Sequence, residues 1–176
     1  MKRYCLYLFI LIGISCSAEL KAQKNGTVYK GNDPAVRYTG RTLVSPDGSV
    51  AFDWVGTYLE TRFTGGKLSV KVSETGTSYY NVFVDGKLHK VVKVCGTDTL
   101  IHLVSGIDKR IHSLKIQKRS EGEFGKTTIH QFVLSGSGRL AEEPAVRTRH
   151  IEFIGNSLTC GYGTDGKHRD EPFLVE

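Results

Sequence analysis

Between about residue 36 and residue 134, apolar and polar positions alternate in short bursts separated by Gly, Asp, Ser and Pro. Runs rich in β-branched and aromatic residues stand at 36–44, 49–54, 57–64, 67–74, 79–85, 87–94, 99–105, 110–118 and 126–134. A period of two predicts half-buried strands, not helices. The period is clearest where Leu68, Val70 and Val72 alternate with Lys67, Ser69 and Lys71, one face dry and the other wet. Asp85-Gly86 between two runs predicts a tight hairpin, since such turns need positive φ. Gly65-Gly66 marks a second turn, and the uneven spacing of Ile111, Leu114 and Ile116 predicts a bulge. Nine short strands with no helical period predict a mainly β fold: a jelly-roll-like antiparallel β-sandwich of two packed sheets, preferred over a closed barrel.

Both ends of the chain depart from this pattern. Met1-Lys2-Arg3 is a basic head, residues 4–14 are uninterruptedly apolar, and Ser15-Cys16-Ser17-Ala18 follows. The apolar run is shorter than the ~20 residues a membrane span needs, so 1–22 reads as a secretory signal peptide and the protein as secreted, periplasmic or cell-surface. Cleavage after Ala18 or after Ala22 fits; a lipoprotein anchored at Cys16 is the less favoured alternative, because Gly13 stands where Leu is usual. Residues 23–35 read as an N-terminal extension and 36–136 as the sandwich. Ser135-Gly136-Ser137-Gly138 opens a charged stretch that carries Pro144, so 137–149 reads as a linker. At 150–155 an apolar strand runs into a glycine, followed by Asn156-Ser157-Leu158-Thr159-Cys160-Gly161-Tyr162-Gly163. Residues 150–176 therefore read as the start of a second, incomplete α/β domain.

Composition narrows the function classes. The 176 residues are 39% apolar and 24% charged, an ordinary globular balance, and four cysteines are too few for a disulfide scaffold. Without residues 1–22, which hold Lys2, Arg3, Lys21 and Glu19, the formal charge falls from +6 to +4. No Lys/Arg run marks a phosphate-binding face, which sets nucleic acid aside. Cys95 and Cys160 permit a disulfide in an oxidising compartment, but two buried thiols are the preferred reading. His89, His102, His112 and His130 lie in strand runs without H-E-x-x-H or paired C-x-x-C, so neither a metal site nor a cofactor is expected. Lys118-Arg119 reads as a solvated strand end. Trp54, Tyr58, Tyr79 and Tyr80 read as sandwich core, with a sugar-stacking platform as the sharper alternative. Asn25-Gly26-Thr27 is a glycosylation sequon that matters only in a eukaryotic secretory host.

The turn at 155–163 carries the chemistry. A serine placed directly after an apolar strand, at the start of a helix, has its hydroxyl at the carboxyl edge of a sheet, with helix-terminal N–H groups nearby to meet a developing oxyanion. Thr159 excludes the G-x-S-x-G elbow. IEFIGNSLTCGYG at 151–163 resembles the first block of the SGNH (GDSL-type) hydrolases. GRT at 40–42, FDW at 52–54, YYNVFVDGK at 79–87 and KRSEGEFG at 118–125 resemble the N-terminal domain of carbohydrate esterase family 2. The resemblance covers roughly residues 34–165. It implies a jelly-roll joined to an SGNH esterase domain, removal of O-acetyl groups from plant polysaccharides, and an acetylated polysaccharide or oligosaccharide as partner. It further implies that Ser157 is the nucleophile and that its own N–H is an oxyanion donor. Asn156 departs from the Asp often found there, which affects any role that needs a carboxylate. The other donors and the catalytic histidine of a distal D-x-x-H block are expected downstream. Asp165-Gly166-Lys167-His168 has that spacing but lies too close to Ser157 in sequence to approach it as a base. A non-catalytic carbohydrate-binding sandwich is the alternative reading of the same chain.

Overall fold

The computed structural model describes residues 26–141, 148–149, 151–161 and 166–168. The expected signal peptide, residues 142–147 of the expected linker and the chain beyond His168 lie outside them. Ten strands form the body: β1 (Thr27–Lys30), β2 (Val36–Thr39), β3 (Leu43–Val44), β4 (Val50–Phe52), β5 (Tyr58–Thr64), β6 (Lys67–Val84), β7 (Lys87–Ser105), β8 (His112–Lys118), β9 (Thr127–Leu134) and β10 (Arg139–Ala141). One short helix, α1 (Ser157–Cys160), follows.

All ten strands belong to one antiparallel sheet folded over on itself. The fold is at the middle of β6. Leu68–Glu74 pair with β9, which also carries β1 and β4, while Tyr80–Val84 pair with β8, which carries β5. β6 thus serves two layers, and its partner β7 follows it through the bend. The sequence runs 67–74 and 79–85 are one strand, as are 87–94 and 99–105. Gly96 and Asp98, both with positive φ, lie where the register of the β6–β7 pair slips and let β7 turn the corner. The expected two packed sheets are therefore two layers of one jelly-roll-like sandwich. The run 36–44 also divides. β2 pairs with β5 in one layer, β3 pairs with β4 in the other, and Gly40-Arg41-Thr42 crosses between them.

The interior is built from alternate residues. Val70, Val72, Ile129 and Phe132 from one layer meet Leu59, Phe63, Val82 and Leu114 from the other in a single buried cluster. Phe52 bridges the layers, with its ring centroid 6.3 Å from Tyr38 and 6.2 Å from Tyr80. Strand β8 alternates regularly over Leu114 and Ile116, and Ile111 is exposed before the strand begins, so the bulge expected there is absent. A bulge lies instead in β9. Lys71 faces Gln131 but Val72 faces Ile129, which makes His130 the extra residue and shifts the inward phase from Thr127 and Ile129 to Phe132 and Leu134. At the Asp85-Gly86 hairpin both residues have positive φ, 50° and 76°. β7 pairs only with β6 among the described strands, and Lys87, Lys90 and Lys93 along it discourage pairing with another chain.

Two strands extend the body beyond the expected 36–136. β1 adds to β9, and β10 adds to β5 with Leu140 opposite Phe63. The segment 139–141 is thus sheet, not linker. Beyond Ala141 the same edge of β5 is taken by β2, whose Val36 faces Thr61.

Candidate functional site

Ser157 is the first residue of α1 and lies at the surface, outside the sandwich core. Asn156 caps the helix: its side-chain oxygen accepts from the Leu158 N–H at 3.1 Å. The amide oxygen does there what a carboxylate oxygen would, so the departure from Asp leaves the turn intact. Gly155 closes the approach, because a Cβ on it would stand 2.0 Å from Thr159 Oγ1. The segment 151–156 has no strand partner among the described residues and is irregular, although Ile151, Phe153 and Ile154 are apolar and exposed. A strand without a hydrogen-bonded neighbour has no ladder to define it. Leu158 is equally exposed. Asp165 lies outside the described residues and His168 is exposed.

The aromatic residues do not share one face. Tyr80 is buried, with its hydroxyl paired to Thr127 and its pKa pushed up by burial. Tyr58 and Tyr79 are half-buried, and the Lys115 ammonium sits 4.1 Å over the Tyr58 ring. Only Trp54 is open, at 59% exposure, with the Arg41 guanidinium 5.5 Å from its ring centroid. Trp54 forms one wall of a surface groove of about 440 Å³, alongside Asp53 and Val55 and opposite the short 3₁₀ turn Gly122–Phe124 with Glu121 and Glu123.

Lys118 anchors both walls of this groove. It is 1% exposed, which corrects its reading as a solvated strand end. Its position is in phase with Leu114 and Ile116, so the strand turns it inward. Its backbone bonds to Gly56 and Thr57 on the tryptophan side, and its Nζ donates to Gly125 O at 2.8 Å on the other and to Ser78 Oγ at 2.7 Å. Burial lowers its pKa, while Glu74 and Asp53 act the other way. The Gly56 N–H donates to Lys118 O at 2.9 Å.

The remaining candidates are structural. His112 is buried at the other end of β8, with Nδ1 2.7 Å from Asp85 and Nε2 2.9 Å from Asp108. The Asp85 contact raises its pKa against the cost of burial. His102 bonds Ser69 and His130 bonds Ser73, each at 2.8 Å, and His89 is exposed. Cys95 is an exposed free thiol on β7, outward of buried Val94, which corrects its reading as a buried one. Among the described residues no cluster of three or more His, Cys, Asp and Glu is arranged for a metal, and no helix is long and apolar enough to cross a membrane.

Comparison with known proteins assigns the folded-over sandwich to a family. The carbohydrate esterase 2 N-terminal family model matches residues 38–144, so the chain belongs to that family. It is 33% identical over 142 residues to the cellulase/esterase CelE of Acetivibrio thermocellus, covering 81% of this chain and 17% of that protein. It is 29% identical over 135 residues to an acetylxylan esterase / glucomannan deacetylase of Cellvibrio japonicus, covering 76% of this chain and 37% of that protein. Among solved structures, a family two carbohydrate esterase from Clostridium thermocellum in complex with cellohexaose superposes with a TM-score of 0.73 at 33% identity, over 80% of this chain and 43% of that one. A family two carbohydrate esterase from Cellvibrio japonicus superposes at 0.72 and 25% identity, over 85% and 44%. The chain spans less than half the length of these relatives.

Proposed function

We propose that this chain is the N-terminal part of a secreted carbohydrate O-acetyl esterase of the acetylxylan esterase kind, with Ser157 as its nucleophile. The observation that carries the reading is the order of two features: a sandwich of the esterase family, then a Gly-Asn-Ser turn that opens a helix with its serine at the surface. In this scheme Ser157 Oγ attacks the acetyl carbonyl and its N–H receives the oxyanion. A histidine from the rest of the hydrolase domain takes the hydroxyl proton and returns it to the sugar oxygen that leaves. Water then attacks the acyl-enzyme and releases acetate, with no cofactor required. The names of the relatives, acetylxylan esterase and glucomannan deacetylase, support an acetylated plant polysaccharide as substrate.

The test is acetate release from acetylated xylan, or hydrolysis of 4-nitrophenyl acetate, by the full-length gene product. Ser157→Ala is expected to lower kcat by at least about a thousandfold, with stability unchanged. Undiminished activity in that variant overturns the nucleophile assignment. The 176-residue chain by itself, without the base, is expected to release no acetate, since a serine hydroxyl is a weak nucleophile until a base takes its proton.

A further inference from the structure

We propose that the groove beside Trp54 is a glycan-binding subsite built into the sandwich, and that its ligand is a neutral β-linked polysaccharide chain. The choice of a plant-polysaccharide backbone rests on the esterase reading above, whereas the groove is defined by its own residues.

Three observations point to a sugar. First, an indole that is 59% exposed at the lip of a groove presents the flat apolar surface on which the C–H face of a β-linked pyranose stacks. Arg41 lies 5.5 Å from the same ring and restrains it. Second, Asp53 and Glu121 are half-buried in the walls, with Glu123 beside them. Carboxylates placed next to an aromatic face accept hydrogen bonds from sugar hydroxyls. With one guanidinium among three carboxylates, the groove disfavours an anionic glycan. Third, the walls are fixed in advance. Lys118 ties both of them, and a Cβ on Gly122 would stand 3.2 Å from the Asp53 carbonyl, so the two loops touch at the base of the groove. A preformed site loses less freedom on binding than a loop that must order. The segments 40–42, 52–54 and 118–125, far apart in sequence, all meet here. Residues 79–87 back them, through Tyr79 N donating to Ser120 Oγ at 2.7 Å.

Trp54 is the only tryptophan in the chain, so its fluorescence reports on this groove alone. The experiment titrates the 176-residue chain with xylohexaose, cellohexaose and hexagalacturonate while following that emission. At least one neutral hexamer is expected to give a saturable change with a blue shift, and hexagalacturonate none. Asp53→Asn and Glu121→Gln, which keep the reporter, are expected to weaken binding by about fivefold or more, with circular dichroism unchanged. Trp54→Ala is expected to abolish retardation in native gels cast with glucomannan. Emission unmoved by both neutral hexamers up to about 10 mM, equal response to hexagalacturonate, or unchanged affinity in both carboxylate variants overturns the proposal. The assay involves no hydrolysis. Failure here with Ser157-dependent acetate release in the full-length protein removes only the subsite; binding here with Ser157-independent activity removes only the nucleophile.

Discussion

Two hydrogen bonds and a strand backbone hold the Lys118 ammonium in the interior, where the Ser78 hydroxyl and the Gly125 carbonyl take the place of water. Removing one partner of a buried pair strands the other. Lys118→Ala is therefore expected to cost about 1–3 kcal/mol in urea denaturation. Lys118→Met, which keeps the apolar stem, is expected to cost less, and an alanine variant as stable as the parent contradicts the role described. The position was partly legible: strand parity from Leu114 and Ile116 points residue 118 inward, and only its charge argued for water. Tyr80 follows the same rule with Val82. The groove was not legible, because Trp54 and Glu121 are brought together by the pairing of β4 with β9 and the return of β8, not by any local pattern. The helix start at Ser157 was legible from the Gly-Asn-Ser turn, whereas the strand expected before it is irregular.

At the scale of elements, long alternating runs were read and short edge strands were not. TVYK and RLA are too brief to show a period, and their partners lie far away in sequence. The bulge at His130 shows the converse, since one extra residue breaks an alternation that either flank displays. β10 contributes Leu140, 7% exposed, to the core cluster and covers Phe63. A chain ended at Gly136 is expected to be less stable than one ended at Ala141 by about 2–5 kcal/mol, the range for losing one large buried aliphatic side chain. Thermal unfolding of the two chains makes the comparison, and equal midpoints reject a structural role for β10.

At the scale of the molecule, β6 and β7 run through both layers, so neither layer has a complete set of partners without the other. Unfolding of the sandwich is expected to be one cooperative transition, with Trp54 emission and far-ultraviolet circular dichroism tracing the same curve in guanidinium. Two separated transitions contradict this. Most of the pairings are distant in sequence, as β1 with β9 and β10 with β5 illustrate, so folding is expected to be slow for a chain of this size. Those same two pairings place the entry and exit of the sandwich in opposite layers. A tug between whatever precedes β1 and whatever follows β10 is carried through β9, β6, β8 and β5 in turn, so the sandwich bears tension as a strut, not as a hinge.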